Sequence, residues 1–328
     1  ARDPTGNLSL PSPAMTLRID TQAPIITTAP NLMEEDDTGF YNNDDVTNVV
    51  QPRLILSGLP AADRDSLRLF YDTGPGRVFC GAYRMAQTTL DTVQVLPVLD
   101  DEDYTFSFML IDSAGNESDF SNPLIVTIDA INPDQPTTPD LTAESDGGSY
   151  NDDDVTNNTS ITFSIGAVSI GDRLFILADD IELDSITVET VSDFISIDNA
   201  ESADYTAYAK DVAGNESSPT GNLSIIVDVT PPENPIEIDL PYTSDTGVDT
   251  ADNLTNDYTP QIDIIKINDA GTTTGTDSAY LYVDGVINQR LQTSISTVSF
   301  TTDSLSDNIH VLSVKTRDLA GNISDEGE

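Results

Sequence analysis

A short phrase that starts with aspartate and ends in Gly-Asn occurs four times along the chain, at intervals of about a hundred residues. We call these segments the Asp–Asn turns; they are residues 3–7, 112–116, 211–215 and 318–322. Self-similarity at such a period indicates tandem copies of one domain. A chain of 328 residues accommodates three copies, each long enough to bury its own core.

Two further landmarks keep the same period. The first is the acidic loop, an aspartate-rich phrase that ends in Thr-Asn, at residues 37–48, 146–157 and 245–256. The second is a linker aspartate followed closely by proline, at Asp20, Asp129 and Asp228. The three landmarks together predict a terminal strand of a preceding or neighbouring domain at 1–20, followed by immunoglobulin-like domains at 21–129, 130–228 and 229–328, the last without its final strand.

Apolar and polar residues alternate between the landmarks. In the run 104–111 the alternation places Tyr104, Phe106, Phe108 and Leu110 on one face, and the run 310–314 is expected to form the same strand in the third copy. Asp284-Gly285 predicts a two-residue hairpin turn. No stretch has helical periodicity. Short strands at this density are typical of an immunoglobulin-like sandwich. We therefore predict an all-β fold of tandem immunoglobulin-like β-sandwich domains in a linear rod.

The charge of the chain excludes several classes of partner. The net charge is −44, from 57 acidic and 13 basic residues, so we expect no binding to nucleic acid and no attraction to an anionic membrane. No apolar run is long enough to predict membrane insertion. The single cysteine, Cys80, is expected to be a small buried hydrophobe.

The order of strands in such a sandwich places the acidic loop of one domain opposite the Asp–Asn turn of the next, across the linker aspartate. Clustered carboxylates repel one another unless a cation lies among them, and an all-oxygen ligand set favours Ca²⁺ over Mg²⁺. The alternative is that these are ordinary solvated turn residues. The predicted calcium ligands are Asp20, Asp37, Asp45, Asp112, Asn116, Asp129, Asp146, Asp153, Asp211, Asn215, Asp228, Asp245, Asp252, Asp318 and Asn322.

We expect no enzymatic activity. The only histidine, His310, lies in a strand pattern, and Cys80 has no histidine in its own repeat. The first repeat also carries unusual aromatic and basic residues at 70–71 and 77–85. Divergence of the core is the favoured interpretation of these residues, and a specialised packing surface or ligand contact is the alternative.

The acidic loop at 245–256, the Asp–Asn turns and the Asp-Val-Thr-Pro-Pro joint at 228–232 resemble the bacterial immunoglobulin-like extender repeats of large calcium-dependent adhesins, of the biofilm-associated and RTX adhesin group. The resemblance covers the whole chain and is closest in the third repeat. It implies secretion, an extracellular position at the cell surface, and calcium at interdomain joints. The expected function is therefore a structural extender segment of a surface adhesin, whose host or biofilm surface would be bound by other regions. A calcium-dependent glycan-binding module is an alternative, although the chain has no tryptophan for stacking on sugars.

The two ends of the sequence suggest a further alternative. Residues 8–19 correspond to a final sandwich strand, whereas the third repeat ends just after its Asp–Asn turn. Copies of the chain could then polymerise by strand addition into a calcium-dependent filament, with Asp20 of one copy near Asp245 and Asp252 of the next. A segment cut from a longer array explains the same pattern, and both interpretations stay open here.

Overall fold

The computed structural model describes residues 1–59, 66–74, 76–84, 90–234, 237–265, 276–292 and 297–325. By its contacts the chain divides into two compact units, Ala1–Ile131 with Val212–Asn215, and Asn132–Asp211 with Glu216–Glu328. All the regular secondary structure of the described residues is β-strand, which confirms the predicted all-β class.

The first unit contains one sandwich. One sheet has the order β1-β3-β6 and the other β2-β8-β7-β4-β5, in which β2 and β8 pair in parallel. Its strands are β1 (Pro30–Leu32), β2 (Val46–Thr47), β3 (Arg53–Ser57), β4 (Ser66–Asp72), β5 (Val78–Arg84), β6 (Leu90–Gln94), β7 (Glu102–Ile111) and β8 (Leu124–Ile128).

The second unit contains two sandwiches. The strands of the first of these are β9 (Asp140–Leu141), β10 (Val155–Thr156), β11 (Ser160–Gly166), β12 (Arg173–Ala178), β13 (Ile181–Thr187), β14 (Ser192–Asp198), β15 (Ala203–Lys210) and β16 (Leu223–Val227). They repeat the topology of the first unit, as sheets β14-β11-β9 and β10-β16-β15-β12-β13. The strands of the other are β17 (Glu237–Asp239), β18 (Gln261–Ile265), β19 (Thr276–Val283), β20 (Val286–Gln292), β21 (Thr297–Thr301) and β22 (Leu312–Asp318), in sheets β17-β18-β21 and β20-β19-β22.

Each sandwich buries the apolar residues that alternate along its strands. On β7 the side chains of Tyr104, Phe106, Phe108 and Leu110 are all buried, as the period-2 pattern predicts. Cys80 is buried in the same core, and burial raises its pKa to about 12. The predicted role of Cys80 as a small buried hydrophobe is confirmed.

The predicted hairpin between β19 and β20 is also confirmed. Its two turn residues, Asp284 and Gly285, have φ angles of 52° and 79°, which are the left-handed values that a tight two-residue turn requires. The equivalent turn between β12 and β13 uses Asp179 and Asp180, with φ angles of 47° and 66°. The expectation for His310 was wrong, because β22 begins only at Leu312. His310 lies before the strand, with its Nδ1 2.7 Å from Oδ2 of Asp284.

The third sandwich differs from the other two at one edge. In the first two, the strand after the Asp–Asn turn (β8 or β16) pairs with both the strand before the turn and the short strand of the acidic loop. Within the described part of the third sandwich, β22 is an outer strand and no strand pairs with residues 254–255. A cavity of about 440 Å³ opens at this edge, lined by Leu240, Leu254, Ile262, His310 and Leu312 among others.

Candidate functional site

The Asp–Asn turns are built by their own side chains. In the turn at 112–116, Oδ1 of Asp112 accepts the backbone N–H of Asn116 at 2.8 Å, and Oδ2 accepts its side-chain amide at 2.7 Å. The turns at 3–7 and 318–322 repeat both bonds. The glycine of all four turns has a φ between 91° and 100°, a conformation that residues with a Cβ rarely adopt. Aspartate and asparagine are therefore needed to fold the turn.

Hydrogen bonding and burial act in opposite directions on these carboxyls. The hydrogen bond from the Asn116 amide lowers the pKa of Asp112, and the equivalent hydrogen bonds from Asn7 lower the pKa of Asp3 to about 2. The equivalent Asp318 is fully buried, and burial raises its pKa, with a further contribution from the charge of Asp228. The charge of the linker residue Asp228 thus acts on the turn residue Asp318.

The turns at 112–116, 211–215 and 318–322 each hold a linker in place. The side-chain amide of Asn116 donates to the backbone carbonyl of Asp20 at 3.2 Å. Within the first unit the amide of Asn215 donates to the carbonyl of Asp129 at 2.9 Å, and within the second unit Asn322 donates to the carbonyl of Asp228 at 2.7 Å. The predicted turn and linker residues are brought together, but the asparagine amides act here as hydrogen-bond donors.

The acidic loops dock on the Asp–Asn turns. In the second unit the backbone N–H of Ser149 donates to the carbonyl of Leu319 at 2.9 Å, and Arg317 donates to the carbonyl of Gly148 at 2.7 Å. The approach is so close that a Cβ on Gly148 would overlap the carbonyl oxygen of Leu319. In the first unit Thr38 donates to the carbonyl of Ala213 at 2.6 Å. The second and third domains are therefore joined by backbone contacts between an acidic loop and an Asp–Asn turn.

The three acidic loops share a buried, unpartnered carboxylate oxygen. In each loop one aspartate has its Oδ1 out of contact with solvent and without any hydrogen-bond partner. Its Oδ2 accepts backbone N–H groups from the same loop, for example those of Asp153 and Asp154 at 3.1 and 3.3 Å. The three residues are Asp37, Asp146 and Asp245, with exposed fractions of 7%, 2% and 0%. A buried acceptor without a donor is unfavourable unless something else in the site satisfies it.

Other carboxylates lie beside these orphaned oxygens. Burial raises the pKa of Asp153 and of Asp154, and the charge of Asp146 contributes to both shifts. In the first loop burial likewise raises the pKa of Asp37 and of Asp45, with repulsion from Asp44. A cleft of about 320 Å³ at this loop is lined by Asn31, Leu32, Glu34, Asp37, Asn42, Asn43 and Asp45. The loops thus bring oxygen atoms together around carboxylates whose charged forms are disfavoured by burial and by repulsion.

The structure thus places the predicted ligands in two groups. The side-chain hydrogen bonds of Asp37, Asp146 and Asp245 lie within their own acidic loops, and those of Asp153 and Asp252 do likewise. The charge that acts on Asp45 also comes from its own loop, from Asp44. The turn and linker residues form the second group, at the joints: Asp20, Asp112, Asn116, Asp129, Asn215, Asp228, Asp318 and Asn322. Asp211 is buried at the start of its turn.

The sequence prediction missed three loop residues. The left-handed position of the loop is Asp45, Asp154 and Asn253, with φ angles of 59°, 59° and 58°, so that Asp153 aligns with Asp44. Asp44, Asp154 and Asn253 therefore belong with the predicted residues, and alignment of the repeated Thr-Asn endings of the loops would have identified them. Among the described residues no group of three or more His, Cys, Asp and Glu side chains is arranged as a metal cluster. Calcium at these loops stays a prediction, and it requires ligands from asparagine or the backbone as well.

The unusual residues of the first repeat are only partly in the core. Phe79 is 55% exposed, so core divergence is the wrong interpretation for this residue. Its ring meets Phe70 edge to face, Phe70 meets Phe120 in the same way, and the Arg77 guanidinium lies 3.8 Å from the centre of the Phe120 ring. These side chains form an aromatic cluster on the outer face of the sheet.

No helix in the described part of the chain is long and apolar enough to span a membrane.

Comparison with known proteins identifies the domain type. A family model described as bacterial Ig-like domain matches residues 23–130 and 232–328, together well over half of the chain. No curated protein sequence matches. Among solved structures, the chicken CNTN1 FN1–FN3 domains have a TM-score of 0.35 and 11% identity, covering 94% of this chain and 97% of that one. The fibronectin(III)-like modules of Clostridium thermocellum CbhA have a TM-score of 0.36 and 14% identity, covering 62% of this chain and 90% of that one.

Proposed function

Because the chain belongs to the bacterial Ig-like domain family, we propose that it is a structural extender segment of a bacterial surface adhesin, in which calcium bound at the acidic loops stiffens successive domains. The role is structural rather than enzymatic, as is typical of Ig-like domains. The observation that carries the calcium proposal is the buried, unpartnered carboxylate oxygen that recurs at Asp37, Asp146 and Asp245.

The residues of the loops fit a hard cation. In the second domain the orphaned oxygen of Asp146 would bind it, together with side-chain or backbone oxygens of Asp153 and Asp154, and the charge of Asp140 also acts on Asp154. In the first domain the equivalent residues are Asp37, Asp44 and Asp45, and in the third they are Asp245, Asp252 and Asn253. Carboxylate and amide oxygens in a flexible loop suit Ca²⁺, which accepts six to eight oxygen ligands and irregular geometry. The bound cation would supply positive charge, which satisfies the orphaned oxygen and removes the repulsion between carboxylates.

The position of these loops links the cation to stiffness. Residues 147–149 follow Asp146 directly and carry the backbone contacts to the turn at 318–322. A cation that fixes the loop therefore also fixes the surface on which the third domain rests. At the joint itself both oxygens of Asp318 already accept donors from their own turn, so neither oxygen is left without a partner. We accordingly assign calcium to the acidic loops, next to the joint.

Small-angle scattering combined with thermal unfolding tests this function. In millimolar Ca²⁺ the chain should be stiffer and should unfold at a higher temperature than in excess EGTA, and Mg²⁺ should substitute poorly. Extracellular calcium sites have dissociation constants of about 10⁻⁴–10⁻³ M, so millimolar calcium is the relevant range. Identical scattering profiles and an unchanged unfolding midpoint in calcium and in EGTA would contradict the proposal.

A further inference from the structure

A cleft lies within the second unit, where the acidic loop of the second domain meets the sheet β20-β19-β22 of the third. It has a volume of about 330 Å³ and is lined by Ser149, Tyr150, Arg290 and Gln292. We call it the joint cleft. Its volume is at the small end of the range for ligand sites, about 300–1,000 Å³. None of its four lining residues is acidic, so it is distinct from the buried carboxylates of the loops.

The folded chain holds both walls of the joint cleft in place. On the loop side, residues 147–149 lie against the turn at 318–322. On the sheet side, Arg290 and Gln292 are two positions apart on β20 and therefore lie on the same face. The side-chain amide of Gln292 donates to the hydroxyl oxygen of Tyr150, which ties the two walls together. Tyr150 is 44% exposed, so its ring is accessible to a ligand.

The sheet wall is basic, although the chain as a whole is strongly acidic. Only 13 of the 328 residues are lysine or arginine, and three of them lie on the outer face of this sheet: Arg290, Lys315 and Arg317. The residues that alternate with the last two, Val314 and Thr316, are buried. Among the outer-face side chains that the structure describes on β19, β20 and β22, none is acidic. This face therefore supplies the local positive charge that an anionic ligand requires.

Arg290 is held in position and has no counter-ion. Its guanidinium carbon lies 5.4 Å from the centre of the Tyr280 ring, directly across the β19–β20 pairing. Arg53 and Arg68 each form an ion pair with a carboxylate, whereas no described carboxylate lies within ion-pair distance of Arg290. The guanidinium presents a planar fork of N–H donors that matches a carboxylate. A ligand of the joint cleft is therefore expected to carry one.

We propose that the joint cleft binds a carboxylated sugar, a uronate unit of an acidic polysaccharide. The fork of Arg290 would hold the carboxylate, and the exposed ring of Tyr150 would pack against the C–H face of the sugar. The hydroxyl of Ser149 and the amide of Gln292 would bond the sugar hydroxyls. A peptide fits less well, because peptide recognition uses pockets for alternate side chains and all four lining residues carry polar groups. The segment would then bind a polysaccharide itself, and it would do so without any of the proposed calcium ligands.

Titration of the full chain with a short oligouronate tests this proposal. Trigalacturonate in excess EGTA should shift the NMR signals of residues 149–150 and 290–292, and EGTA removes calcium that would otherwise bridge uronates to the acidic loops. The trimethyl ester has the same sugar rings without the charge, and it should bind at least about tenfold more weakly. Triaspartate carries carboxylates without a sugar ring and should also bind more weakly. Added salt should weaken the binding of trigalacturonate, because the cleft is open to solvent.

Substitutions at Arg290 separate a specific site from general attraction of anions. Arg290→Gln should weaken the binding of trigalacturonate at least about tenfold, and Arg290→Lys should restore it only in part, because lysine lacks the planar fork. The matched control Arg77→Gln removes one positive charge from an exposed position of the first domain and should leave the affinity unchanged. All three variants change exposed residues and should unfold at the same temperature as the unaltered chain.

Three results would overturn the proposal. They are no shift of these signals by trigalacturonate, binding of the ester or of triaspartate as tight as that of trigalacturonate, and an equal loss of affinity in Arg77→Gln. The variant Asp146→Asn should keep the binding of trigalacturonate in EGTA. Failure of the calcium proposal would therefore leave this test intact, and failure of this test would leave the calcium proposal intact.

Discussion

Replacing Asp146 by asparagine should change stability in opposite directions with and without calcium. The Oδ1 atom of Asp146 is buried and unpartnered, and its Oδ2 accepts the N–H groups of Asp153 and Asp154. In Asp146→Asn the amide oxygen can keep those two bonds, while the amide nitrogen replaces the orphaned oxygen with a donor that faces acidic neighbours. The substitution therefore removes the unfavourable interaction that the calcium ion is proposed to relieve.

The expected magnitude follows from the burial of this group. Leaving a buried polar group unsatisfied costs about 1–3 kcal/mol, so in EGTA the variant should be more stable by about 1 kcal/mol, the lower end of that range. Calcium at about a hundredfold over its dissociation constant should stabilise the unaltered site by about 2.7 kcal/mol and the variant site hardly at all. In calcium the variant should therefore be the less stable of the two, by about 2 kcal/mol.

Calorimetry of the full chain in EGTA and in millimolar Ca²⁺ would measure both effects. For a domain of this size about 1 kcal/mol corresponds to a shift of about 4–8 °C in the unfolding midpoint. The matched control is Asp152→Asn, which removes one charge from an exposed position of the same loop. If Asp146→Asn lowers stability in EGTA as well, or leaves the gain from calcium unchanged, the orphaned oxygen is not a calcium ligand.

Three further predictions concern the joint, the core and the pH dependence. Gly148→Ala should loosen the contact between the second and third domains and speed hydrogen exchange at residues 317–322, whereas Gly147→Ala should not, because its Cβ would have only an ordinary contact of 3.8 Å with the Glu144 carbonyl. Cys80 should resist thiol reagents in the folded chain and react once the first domain unfolds, because burial raises its pKa to about 12; fast labelling at neutral pH would contradict this. In EGTA, the free energy of unfolding should rise as the pH falls from neutral toward 3.8. The pKa values of Asp37, Asp45, Asp153 and Asp154 are raised in the folded chain, so at these pH values the folded chain binds protons more tightly than the unfolded chain. Saturating calcium should abolish that rise, and chemical denaturation across the pH range would measure it.

Much of the fold follows from local patterns in the sequence. Alternation along 104–111 predicts which side chains of β7 are buried, because a strand with one face toward the core requires it. Asp284-Gly285 predicts a hairpin because few other dipeptides tolerate two left-handed residues. The sequence wrongly predicted His310 to lie in a strand, because the alternating pattern begins two residues before β22 does. At that position the imidazole contacts Asp284 instead.

The sequence does not predict which aspartates have both carboxylate oxygens hydrogen-bonded and which keep one oxygen without a partner. Asp112 and Asp146 both precede glycine-containing turns, yet Asp112 has both oxygens bonded and Asp146 keeps one buried without a partner. That difference depends on which backbone N–H groups the folded loop turns toward each carboxylate, and sequence spacing does not determine it. The same limit applies to Phe79, whose side chain lies on the outer sheet face because a bulge interrupts the pairing of β4 and β5 between Leu69 and Phe70.

Equilibrium dialysis against radioactive calcium would test the calcium assignment most directly, because it counts bound ions without reference to stability or shape. We expect about one calcium site for each acidic loop, with millimolar or tighter affinity. The single variants Asp37→Asn, Asp146→Asn and Asp245→Asn should each remove one site, and the triple variant should bind none of the three. The exposed control Asp152→Asn should keep the loop sites. Absence of binding in the unaltered chain, or full binding by the triple variant, would contradict the assignment of calcium to these loops.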